Sequence, residues 1–75
     1  MKQEILDLAA SVLSMESEAL LENSKPVEEI DGYYFWSNGR GGISVLINGE
    51  GEKLAAGSAI SYEKLLAAFL EGKRN

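Results

Sequence analysis

The chain reads as an α+β domain: an antiparallel meander of three or four strands between an N-terminal and a C-terminal helix. Three features predict this. Apolar residues recur at helical spacing near both ends. The middle carries an aromatic run, Tyr33-Tyr34-Phe35-Trp36, and an aliphatic run, Ile43 to Ile47. Glycine- and asparagine-rich turns separate these runs, and such short connections favour sequential hairpins. Both helices are expected on one face of the sheet. With 75 residues, the chain is read as a single domain spanning 1–75.

The first helix is placed at 3–14. Ile5, Leu8, Ala9, Val12 and Leu13 share a face, and Glu4 and Asp7 suit its positive N-terminal end. Residues 15–29 admit two readings. Met15 and Ala19 continue the helical rhythm to about Asn23. Ser14, Ser17 and the mixed serines and acids argue against that. The reading adopted is a short edge strand at 19–21, followed by a turn at Asn23-Ser24-Lys25-Pro26, since proline forces Lys25 out of helical geometry.

Strands follow at 33–36, 43–47 and 52–57, joined by the 37–42 turn and the Asn48-Gly49-Glu50-Gly51 hairpin. Tyr33, Phe35, Ile43, Val45, Ile47 and Leu54 are the expected inward positions. Ser61 is an N-cap for the last helix, whose stripe is Tyr62, Leu65, Leu66 and Phe69. Gly72 sits where a C-cap glycine belongs, and Lys73-Arg74 complement the helix end.

Composition narrows the chemistry. There is no Cys and no His, so disulfides, thiol nucleophiles, imidazole bases and Cys/His metal sites are out. No cofactor is expected, and the chain is read as not an enzyme. Acid–base chemistry would need burial-shifted carboxylates such as Asp31 or Glu52.

Net charge is −5, but residues 1–31 hold eight acids against two bases, while residues 32–75 hold four against five. The acidic half disfavours nucleic acid. The longest apolar run, Leu65 to Leu70, is too short for a membrane span, and no leader is apparent. A cytoplasmic setting is expected.

Three motifs invite functional readings. Asn38-Gly39-Arg40-Gly41-Gly42 lacks phosphate-loop spacing and joins two strands, so it reads as a hairpin turn. The 48–52 turn does not match a calcium loop. Glu28-Glu29-Ile30-Asp31 reads as an exposed acidic cluster able to meet a basic partner.

The aromatic run is the most informative. Alternation puts Tyr33 and Phe35 on one face and Tyr34 and Trp36 on the other. With both helices on one side, Tyr34, Trp36 and Leu46 would form an open apolar patch rimmed by Glu28, Glu29 and Arg40. The expected occupant is a protein partner or a second copy of the chain.

The order Gly32-Tyr33-Tyr34-Phe35, Arg40-Gly41-Gly42, strand Ile43 to Ile47, Asn48-Gly49-Glu50-Gly51-Glu52, then Gly57-Ser58-Ala59 leading into a helix at 61–71, resembles a small bacterial immunity-protein family of polymorphic toxin systems. That family also contains a heat-stable chaperone-like enterobacterial protein. The likeness spans about residues 18–71 and lies in a layout of small and aromatic positions. It implies an α+β binding protein that neutralises a toxin. It transfers no functional residue, and only Ser37-Asn38-Gly39 stands where the family has a longer insert.

Overall fold

The computed structural model describes residues 2–37, 42–57 and 59–75. Helix α1 spans Gln3–Leu13 and helix α2 Ser17–Glu22. Strand β1 spans Ser24–Val27, a single 3₁₀ turn Glu28–Ile30, and strand β2 Gly32–Trp36. Strands β3, Ile43–Asn48, and β4, Lys53–Gly57, precede helix α3, Tyr62–Leu70. The four strands form one antiparallel sheet in sequence order. The expected α+β meander between terminal helices is therefore the observed architecture. No described helix is long and apolar enough to cross a membrane.

The placement of the helices differs from expectation. Ile5, Leu6, Ala9 and Leu13 of α1 pack with Leu20 of α2 on Phe35, Val45 and Ile47. Leu65 and Phe69 of α3 pack with Val27, Ile30 and Leu46. Phe35 and Val45 point one way from the pleat and Leu46 the other. The helices thus cover opposite faces, with the sheet between two hydrophobic layers.

The physical reason is in β3 and its neighbours. Val45, Leu46 and Ile47 are all buried, as in a strand covered on both sides. Leaving Leu46, Val27 and Ile30 facing water would forfeit about 1.5–3 kcal/mol per side chain, so a second layer is strongly favoured.

The 15–29 segment follows neither reading throughout: it is helical over Ser17–Glu22, as the continued helical rhythm implied, but only after a break at Ser14. Ser14 adopts the left-handed conformation, φ 54°, and ends α1, with the Met15 N–H reaching back to the Ala10 carbonyl at 3.1 Å. The chain then begins α2, and Leu20 plugs the α1 layer instead of forming an edge strand.

The edge strand lies later, in the stretch read as a turn. Its register pairs Ser24 with Phe35, Lys25 with Tyr34 and Pro26 with Tyr33. The Trp36 N–H donates to the Asn23 carbonyl, so alternation turns Ser24 and Pro26 toward the open edge. A proline there forfeits no ladder bond.

Of the expected inward positions, Phe35, Val45 and Ile47 are buried and Tyr33 is half-buried beside them. Ile43 is 39% exposed at the strand start, and Leu54 packs on the α3 side. Caps follow expectation: Ser61 Oγ accepts from the Lys64 N–H, and Gly72, φ 100°, closes α3.

Gly32 is required by close approach. A Cβ there would lie 2.0 Å from the Ile47 carbonyl oxygen and 2.6 Å from Asn48 Cα.

Candidate functional site

On the α3 side of the sheet, near the β1 edge, three aromatic rings gather. Tyr34 and Trp36 are two apart on β2 and so share a face, with ring centroids 5.5 Å apart. Trp36 lies opposite Ser44, whose small side chain leaves room for the indole. The Tyr34 hydroxyl donates to Ser44 Oγ at 3.0 Å. Tyr62, in the first turn of α3, meets Tyr34 edge-to-face at 4.9 Å. All three aromatics are half-buried.

Lys25 completes the group from β1. Its register opposite Tyr34 brings the ammonium 3.7 Å from the Tyr62 ring centroid and 5.8 Å from that of Tyr34. Burial raises the Tyr62 phenol above its ordinary range, and the charges of Glu29 and Glu63 and the Tyr34 phenol add to the rise. The patch combines π faces, one ammonium and a carboxylate rim. Such a surface can accept apolar side chains on its rings and basic ones at its carboxylates.

The sequence-derived site residues divide accordingly. Tyr34 and Trp36 stand together on this surface. Glu28 and Glu29 are exposed on the 3₁₀ turn, whose Ile30 anchors it in the α3 layer. Leu46 does not belong: at 0% exposure it lies in the core with Leu65 and Phe69, because α3 occupies the face expected to be open. Arg40 lies outside the described residues. The open apolar patch is thus replaced by a smaller aromatic one at the margin of α3.

Sequence reasoning assigned Tyr62 to the core stripe and Lys25 to a turn, and so left both out of the site. Tyr62 opens its helix, where a first-turn side chain can overhang the sheet edge. That position was a usable signal. Lys25 carried none, since its role depends on the β1 register.

A concavity opens elsewhere, at one end of the sheet, lined by Lys2, Ile30, Asp31, Tyr33, Asn48 and Glu50 among others. Asp31 is left-handed there, φ 52°, and Lys2 Nζ reaches the Gly49 carbonyl at 3.4 Å. Of the two carboxylates considered for acid–base work, Asp31 is exposed and Glu52 contacts Asn48 at 2.9 Å and Arg74 at 3.8 Å. Among the described residues no group of three or more acidic side chains is placed to hold a metal ion. Every buried polar side-chain atom among them has a hydrogen-bond partner.

Comparison with known proteins finds no matching family model, no matching curated protein and no matching solved structure.

Proposed function

We propose that this chain is a non-enzymatic, cytoplasmic protein-binding domain that engages its partner through the Lys25, Tyr34, Trp36 and Tyr62 surface. The observation carrying the reading is the half-buried cluster of three rings, since aromatic anchors with polar rims are the usual energetic centres of interfaces. Exposed Glu28, Glu29 and Glu63 favour a basic partner surface. The immunity-protein resemblance supplies the partner class, a protein toxin.

The test is binding to a toxin encoded beside this chain's gene, followed by calorimetry. Trp36→Ala and Tyr62→Ala should each weaken the complex about 30-fold, an anchor's ~2 kcal/mol. Affinities unchanged within twofold in both variants would remove this surface from the interface. Absence of any complex with the neighbouring toxin would sink the immunity reading.

The second reading is a structural homodimer associating through the open sheet face; of the three residues expected on that face, Leu46 lies beneath α3 and Tyr34 and Trp36 stay half-exposed.

A further inference from the structure

The two edges of the sheet are managed differently. On β1, proline removes a donor from the outward row. On β4, the Asn48 N–H donates to the Glu52 carbonyl, so alternation turns Lys53, Ala55 and Gly57 outward. This outward row meets Asn75. The Ala55 N–H donates to Asn75 Oδ1 at 2.8 Å, and Asn75 Nδ2 donates to the Ala55 carbonyl at 2.9 Å. The Asn75 N–H donates to the Lys53 carbonyl at 3.1 Å, and Lys53 Nζ donates to the Asn75 carbonyl at 2.7 Å.

A carboxamide is chemically a peptide group. The exchange of both bonds between one amide and Ala55 is what a residue of a paired antiparallel strand supplies. Asn75 therefore occupies the edge as a one-residue strand. The 71–75 segment that delivers it is held by Arg74, whose guanidinium stacks 3.6 Å from the Phe69 ring centroid and donates to the Phe69 carbonyl at 2.7 Å.

We propose that β4 is a strand-pairing edge for a second copy of this chain, closed in cis by Asn75. The side chains of β4 fit that occupant. In an antiparallel β4–β4 pair centred on Ala55, Ala55 faces its own copy, Leu54 faces Ala56, and Lys53 faces Gly57. No like charges stand opposite each other. Ala55, Ala56 and Gly57 put no bulky side chain opposite its counterpart, so the cross-strand pairs meet no clash. The pairing is self-complementary, as a two-fold interface requires, and would join two four-stranded sheets into one. β1 cannot serve in this way, because Pro26 has no N–H to offer. This inference is independent of the aromatic surface, which lies toward the opposite edge.

The test is sedimentation equilibrium of the full chain across a concentration series. The wild type should stay monomeric over the range in which Asn75→Ala dimerises, with a dimer dissociation constant at least tenfold lower for the variant. Adding Ala55→Pro to Asn75→Ala should restore the monomer. Hydrogen exchange gives a second readout: the Ala55 amide should exchange at least tenfold faster in dilute Asn75→Ala than in wild type, and slow again as concentration rises. Identical sedimentation of wild type and Asn75→Ala would overturn the proposal. So would a dimer that persists with Ala55→Pro, or an Ala55 amide whose exchange ignores Asn75.

Discussion

Lys25 holds its ammonium 3.7 Å from the centre of the Tyr62 ring, which joins the edge strand β1 to the first turn of α3. No hydrogen bond ladder links these two elements. The contact therefore fastens the margin of the α3 layer to the sheet. Lys25→Met keeps the stem and removes the charge. It should destabilise the fold by about 0.5–1 kcal/mol, the range for an exposed cation–π pair, read from urea unfolding midpoints. No change in midpoint would mean the ammonium contributes nothing there.

The Tyr62 phenol titrates above the ordinary tyrosine value of about 10. A raised folded pKa means the native state holds its proton longer than the unfolded chain. The associated stability is thus fully present below pH ~10 and is lost as pH rises through the folded value. Tyr62→Phe should flatten this alkaline limb. Glu29→Gln should bring the phenol's titration, followed by ultraviolet absorbance, back toward the ordinary value. A Tyr62 titration at the unfolded position would contradict the packing described.

Leu46 offers the sharpest check on the two-layer arrangement. Leu46→Ala should cost about 2–5 kcal/mol, the range for truncating a buried leucine. A patch residue open to solvent would lose within about 0.5 kcal/mol. Thermal or denaturant unfolding separates the two outcomes cleanly.

Gly32→Ala should destabilise by about 3 kcal/mol or more, because the new methyl meets the Ile47 backbone rather than a side chain able to swing away. Expression with native-like circular dichroism and an unchanged midpoint would show that β2 and β3 can part more easily than their register implies.

Much of the fold could be read from periodicity. The terminal helices, the three central strands and the cap at Ser61 came from strong, local signals. Two things did not. β1 has a single buried residue, Val27, and its Ser24-Lys25-Pro26 start reads as a turn by composition. Its place is secured by Asn23, whose amide and carbonyl both bond the Trp36 backbone, a contact between residues thirteen apart. The side on which α3 docks was also missed. The uninterrupted Val45-Leu46-Ile47 run already hinted at a strand covered twice, but the terminal helices alone could not say which went where.

The candidate site was legible only in part for the same reason. Tyr34 and Trp36 follow from alternation within one strand. Lys25 and Tyr62 join them only when β1 and α3 are placed, and Leu46 leaves once α3 lies over it.

A sheet with apolar packing on each side acts as a bulkhead. A hole cut in the α1 compartment, at Ile5 for example, has no direct route to the α3 compartment, so damage on the two sides should accumulate independently. Sequence drift could then reshape the Tyr62 side while the α1 side keeps its packing.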